Sequence, residues 1–323
     1  MNVETVMILV AAVVVAYANG ANANFKGVAS LYGSGTSGYA GAVRWAAVAT
    51  AAGCLAAAGL SGAMLKAFSG RGLVPDGMAA EPRFLLAVAG GAGGAGLLAT
   101  RLGFPVSTTH LLVGGLVGSG WVAGSVNGGK LWESFLMPLL VSPVLAVAGG
   151  ALVHGLLRVA GMAGEGRKRG VDAGHWLSAG AVCFARGLND TPKMAALVAG
   201  SGWLGGSGAM VLVAAAMACG GVIGARRVAE TLAHGITGMN PGEGFAANLA
   251  TSLLVTTASL HGLPVSTTHV SVGALLGIGV TTGQARWKTV RPVLAAWVVT
   301  LPCAAVLAGG LYAVLRMTGN PRH

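Results

Sequence analysis

Pro105-Val106-Ser107-Thr108-Thr109-His110 returns, letter for letter, as Pro264-Val265-Ser266-Thr267-Thr268-His269. In both copies the proline follows Gly-Phe or Gly-Leu, and the histidine leads into an apolar, glycine-rich run long enough to be a helix. Each copy therefore reads as the start of a helix inside apolar surroundings. Proline suits a first helical turn, where its missing N–H is not needed, and the Ser and Thr hydroxyls cap or supplement the free backbone N–H groups. Such a helix end attracts anions.

Composition identifies the solvent. Of 323 residues 54% are hydrophobic and only 9% charged, with a mean hydropathy of +0.73, which is too few charges for a soluble domain and fits a polytopic membrane protein. Apolar runs of about 20 residues, the length that crosses a hydrocarbon core, recur along the chain. The 55 glycines suit close helix packing in lipid. The net charge of +11 lies in short clusters between apolar spans, as orienting loop charges do, and no aromatic-interleaved basic patch points to nucleic acid. The acidic start at Glu4 and the span that follows do not read as a secretory signal.

In chain order, a first membrane helix, Val6 to Ala18, runs into the polar stretch Asn19-Gly20-Ala21-Asn22-Ala23-Asn24-Phe25-Lys26 and is expected to be interrupted there. Spans are expected at about Ala40 to Met64, Phe84 to Thr100, from the first hexapeptide to about Gly124, and Phe135 to Leu157. A hydrophilic stretch with Glu165, Arg167, Lys168, Arg169 and Asp172 follows, and its basic cluster is expected on the cytoplasmic side. The plan then repeats. Leu177 to Cys183 enters Arg186-Gly187-Leu188-Asn189-Asp190-Thr191-Pro192-Lys193, the Phe245 to Leu260 span precedes the second hexapeptide, and Val293 to Leu315 closes the chain.

Setting Gly20 on Gly187 brings Asn22 onto Asn189 and Lys26 onto Lys193; setting His110 on His269 brings Pro82 onto Pro241. The expected fold class is all-α: a polytopic membrane helix bundle with two internal repeats and broken or re-entrant helices, inverted repeats being the expected relation if each half holds an odd number of spans. The expected divisions are a first repeat at 1–160, a hydrophilic linker at 161–176 and a second repeat at 177–323. Matching polar interruptions in two halves place a transport site near the midplane where they meet.

The doubled PVSTTH, with Gly-Ala-Asn-Ala-Asn-Phe-Lys at 20–26 and Gly-Leu-Asn-Asp-Thr-Pro-Lys at 187–193, resembles the inorganic phosphate transporter (PiT) family of secondary permeases over nearly the whole chain. The resemblance implies secondary active transport of inorganic phosphate, coupled to protons or sodium, by a multi-pass protein of the cell (inner) membrane; sulfate or another tetrahedral oxyanion is the alternative substrate. It implies that Ser107, Thr108, Thr109, Ser266, Thr267 and Thr268, with Asn22 and Asn189, bind the anion, and that the Asn-Asp motif holds cations. Where the family has an Asp in the first half this chain has Ala23, and where it often has a second Asn this chain has Lys26 and Lys193.

Lysines in a membrane interior are costly without a partner or a function. Asp190, Lys26 and Lys193 are therefore assigned to cation coupling or charge balance, with Asp190 and Lys193 also able to form a structural ion pair. The more positive fixed charge predicts that sodium dependence is weakened or absent and that protons couple instead. Asn19 and Asn24 read as helix caps, Arg101 and Arg186 as snorkelling side chains or anion attractors, and His110 and His269 as packing, proton-coupling or anion-contact residues. Cys54, Cys183, Cys219 and Cys303 stand singly, without metal-ligand spacing, and read as small core residues. No nucleophile with a base is evident, so no enzyme is expected. The expected partners are phosphate, a proton or sodium ion and the lipid bilayer, with no cofactor unless a bound sodium; a homodimer stays open.

Overall fold

The computed structural model describes residues 3–163 and 169–318. Its frame is ten long helices, five on either side of residue 164: α1 Val3–Ala23, α2 Tyr39–Leu60, α3 Pro82–Arg101, α4 Thr108–Val122 and α5 Met137–Val159, then α6 Arg169–Gly200, α7 Gly206–Ile223, α8 Pro241–Leu260, α9 Thr267–Thr282 and α10 Trp287–Thr318. The fold is all-α, as expected. Six helical stretches among the described residues are long and apolar enough to cross a membrane, namely Val3–Lys26, Tyr39–Leu60, Pro82–Arg101, Gly128–Val159, Gly206–Ile223 and Trp287–Thr318. α6 is as long as any of them, but its buried polar residues lower its hydropathy.

Packing runs in matched pairs. α1 lies against α7 and α3, while α6 lies against α2 and α8; the short α4 lies against α10, while α9 lies against α5. Small residues permit these approaches. A Cβ on Gly118 would fall 2.0 Å from the carbonyl oxygen of Ala305 on α10, and one on Gly277 would fall 2.2 Å from that of Val147 on α5. At both crossings only glycine fits.

The two hexapeptides are breaks between helices. α3 ends at Arg101, Phe104 to Ser107 run extended, and α4 begins at Thr108; α8 ends at Leu260, and α9 begins at Thr267. Pro105 and Pro264 therefore sit in the extended approach and not in the first helical turn expected of them. Ser107 and Ser266 are the N-caps, each hydroxyl accepting the N–H three residues on. Prolines do sit at first-turn positions elsewhere: Pro82 opens α3, Pro138 lies at the start of α5 and Pro241 opens α8.

The expected interruptions at the Asn motifs occur in one half only. α1 stops at Ala23 and passes into a 3-10 turn, Asn24–Lys26. α6 runs unbroken through residues 186–193 even though Pro192 lies inside it. Proline cannot donate to the carbonyl four residues back, here that of Leu188, and the Ser61 hydroxyl donates to that carbonyl at 3.0 Å. The orphaned acceptor is satisfied, so the helix continues. Within the hydrophilic stretch, Arg169 to Trp176 form the first turns of α6; Glu165, Arg167 and Lys168 lie outside the described residues. Cys54 and Cys183 are buried, as expected of small core residues, but Cys219 and Cys303 are exposed on the bundle surface.

Ser61→Ala should lower the thermal unfolding midpoint of the purified protein, by the equivalent of about 1–3 kcal/mol for a buried carbonyl left unpaired. Ser142→Ala, which removes a buried hydroxyl that has no partner among the described residues, should leave the midpoint unchanged or higher. A scan of both variants beside the parent checks this.

Candidate functional site

The two breaks are tied to each other by a reciprocal pair of hydrogen bonds. Thr109 Oγ1 donates to the carbonyl of Val265 at 3.1 Å, and Thr268 Oγ1 donates to that of Val106 at 2.6 Å. The starts of α4 and α9 are thus held side by side. Their six Ser and Thr residues are all buried. The cap hydroxyls take the N–H of His110 and of His269. The N–H groups of Thr108, Thr109, Thr267 and Thr268 lie in the first turns, where no intrahelical acceptor exists. Two positive helix ends therefore meet in a buried space, and the Ser107, Ser266 and Thr108 hydroxyls keep a proton to donate.

Each break is braced by an asparagine. Asn22 donates to Thr100 Oγ1 at 3.1 Å and to the Phe104 carbonyl at 2.9 Å, and accepts from the Val106 N–H at 2.9 Å. Asn189 donates to Ser259 Oγ at 2.8 Å and accepts from Lys193. Thr100 and Ser259 each spend their own proton on the carbonyl four residues back, which leaves a lone pair for the asparagine. Of the two asparagines expected to face an anion, Asn22 spends both amide protons on the first break, whereas Asn189 spends one, on Ser259. Thr100 and Ser259 escaped the sequence reading, although superposing the hexapeptides places one on the other.

Between the breaks lie four buried charges, Lys26, Arg186, Asp190 and Lys193, none more than 2% exposed. Asp190 receives Lys193 Nζ at 3.2 Å and Asn19 Nδ2 at 3.1 Å, and Arg186 Nε stands 3.8 Å away. Thr267 Oγ1 donates to it at 3.5 Å. Lys193 Nζ also donates to Thr109 Oγ1 at 2.9 Å, to the Val265 carbonyl at 3.0 Å and to Asn189 Oδ1. Arg186 does not snorkel. It donates to Asn19 Oδ1 at 2.6 Å and to Asn24 Oδ1 and Thr50 Oγ1 at 3.2 Å each, so Asn19 and Asn24 hold a guanidinium and do not cap a helix. Asn19 also reaches Thr108 Oγ1 at 2.6 Å. Arg101, by contrast, is exposed. The signal for Arg186 was its place four residues before Asp190 on a helix, on the same face.

His110 and His269 meet edge to face with ring centroids 4.6 Å apart, and His269 stacks on Trp297 at 4.1 Å. One ring nitrogen of His269 lies 3.3 Å from the Leu139 carbonyl. The pair packs the two short helices together. No group of three or more His, Cys, Asp or Glu residues able to hold a metal ion occurs among the described residues.

The sequence profile of the phosphate transporter family matches residues 19–308, a range that takes in both hexapeptides, both asparagine motifs and all four buried charges. The chain belongs to the phosphate transporter family. A probable low-affinity inorganic phosphate transporter of Rhizobium meliloti is 30% identical over 262 residues, covering 75% of this chain and 77% of the relative. Another of that description from Mycobacterium bovis is 30% identical over 244 residues, covering 69% of this chain. This chain spans 58% of the length of that mycobacterial relative. A solved structure described as "the sodium-dependent phosphate transporter" superposes with a TM-score of 0.84 over 98% of this chain and 100% of its own, at 22% identity, and thus shares the fold. Family and relatives are transporters and permeases, not enzymes.

Removing the one carboxylate strands the cations around it. Asp190→Asn should destabilise the protein by about 3–5 kcal/mol, as loss of one member of a buried ion pair does. Combining it with Lys193→Met should cost less than the sum of the two single changes, because the residues share one network. Thermal unfolding of the four proteins closes the cycle.

Proposed function

We propose that this protein carries inorganic phosphate across the cell membrane by alternating access, with protons as the coupling ion. The observation that carries the reading is the pair of cross-tied helix starts in a buried space where cations outnumber the single carboxylate. Backbone N–H groups at two helix ends, with Ser and Thr hydroxyls, suit a tetrahedral oxyanion. Neutral donors hold such an anion less tightly than a cage of arginines would, so it can be released.

Alternating access is supported by the way the halves match. Equivalent residues, Thr109 and Thr268, make equivalent bonds across the centre, as two related halves that move against each other would. A site buried on every side must open to load and to unload. Rocking of one set of helices against the other, at crossings lined by small residues, supplies such a motion.

The reading for protons rests on Asp190. A sodium ion seeks oxygen ligands, carboxylates foremost, and this carboxylate is already engaged by Lys193 and Arg186. The second position is Ala23. The solved relative is described as sodium-dependent, and that property is not carried over to a chain in which Lys193 and Arg186 stand beside Asp190.

Labelled phosphate uptake into proteoliposomes tests the proposal. Saturable accumulation driven by a pH gradient without sodium, and blocked by arsenate, is expected. Strictly sodium-dependent uptake with no response to pH would overturn the coupling ion, and sulfate uptake without phosphate uptake would overturn the substrate.

A further inference from the structure

The two lysines that occupy matching places in the two halves are not matched in their surroundings. Lys193 Nζ lies within hydrogen-bonding distance of four oxygens, more than its three protons need, and one of them is a carboxylate. Lys26 Nζ is equally buried, yet among the described residues its one hydrogen-bond acceptor is the Val106 carbonyl, at 3.3 Å. The difference has a plain cause. Asp190 lies three residues before Lys193, whereas Ala23 lies three residues before Lys26. The amide oxygen of Asn189 accepts from Lys193, whereas that of Asn22 is taken by the Val106 N–H. The Val106 carbonyl itself is shared with Thr268 Oγ1.

A buried ammonium carries three donors, and an unpaired charge in a low-dielectric interior is costly. Lys26 lies at the first break, beside a carbonyl that both hexapeptides touch. The charge count points the same way. Asp190 carries charge enough to offset one of the three buried cations, and it stands 3.2 Å from Lys193 and 3.8 Å from Arg186. Lys26 has no carboxylate within ion-pair distance among the described residues.

We propose that Lys26 is the cationic ligand of the transported oxyanion and that Lys193 is a fixed internal cation serving Asp190. The inference rests on the oxyanion reading above and deepens it. The site is asymmetric in charge although its backbone is matched, and the anion seats toward the first half, on Lys26 and the first turn of α4. With Lys26 and Arg186 both in excess of the carboxylate, the complementary load is a dianion, the hydrogen phosphate form.

The test is equilibrium dialysis of labelled phosphate against the purified full chain in sodium-free buffer, with labelled sulfate in parallel and a thermal midpoint for each protein without anion. Lys26→Gln should weaken phosphate binding about 10- to 100-fold, the value of a charge-assisted hydrogen bond, without lowering the midpoint. Lys193→Gln should lower the midpoint and weaken binding less than Lys26→Gln does. Ala23→Asp keeps the lysine but supplies an internal carboxylate three residues before it; weaker phosphate binding with an equal or higher midpoint is expected, and this variant decides the matter if Lys26→Gln fails to fold. Unchanged affinity in folded Lys26→Gln, equal losses for the two lysine variants, or Ala23→Asp binding as tightly as the parent would overturn the assignment of Lys26. A parent protein that binds sulfate and not phosphate would overturn the substrate alone, and the same variants read with sulfate then decide the role of Lys26. A parent that binds neither anion overturns both.

Discussion

The surplus of positive charge sealed inside the bundle is the constraint that the rest of the structure answers to. At the centre, among the described residues, Lys26, Arg186 and Lys193 are buried around one carboxylate, Asp190; the other buried carboxylate, Glu243, caps the start of α8. An interior of low dielectric does not tolerate such charges singly. The chain answers with oxygens drawn from four helices, a 3-10 turn and two extended breaks: Asn19 on α1, Asn24 in the turn that follows it, Thr50 on α2, Thr109 at the start of α4, Asn189 on α6, and the Val106 and Val265 carbonyls. These partners can be reached only because the helices approach closely. Gly118 and Gly277 are thereby linked to the site: a side chain at either would push a short helix off its neighbour and separate the two breaks.

The same geometry explains why two kinds of helix interruption coexist. In α1 the chain leaves α-helical geometry at Ala23 and delivers Lys26 from a 3-10 turn. In α6 the helix continues because Ser61 completes the carbonyl that Pro192 leaves open, so Arg186, Asn189, Asp190 and Lys193 project from one rigid rod at spacings of three and four residues. That rod makes the second half of the site firm. The first half, where Lys26 follows the end of a helix, has fewer bonds to hold it.

Much of this was legible in the residues. Composition and span length placed the chain in a membrane, and the doubled hexapeptide located the two breaks to within a residue or two. The asparagine motifs were recognised as central, but their bracing of the breaks was not, because hydrogen-bond partners such as Thr100 and Ser259 lie on other helices and no local pattern announces them. Arg186 was undervalued for a related reason: an arginine in an apolar run more often reaches an interface, and only the three-dimensional meeting with Asn19, Asn24 and Thr50 keeps it inside. The continuity of α6 through Pro192 depended on Ser61, more than a hundred residues away, and could not be read locally. The prolines of the hexapeptides were misplaced by three residues, since the serine cap, and not the proline, sets where each helix begins.

The most direct measurement is a crystal structure of the protein with bound arsenate, the arsenic located by its anomalous scattering. The account predicts one arsenic between the first turns of α4 and α9, its oxygens within hydrogen-bonding reach of Lys26 Nζ, with Lys193 still on Asp190. An arsenic bound beside Lys193, with Lys26 on the Val106 carbonyl alone, or one found outside the bundle, would contradict it.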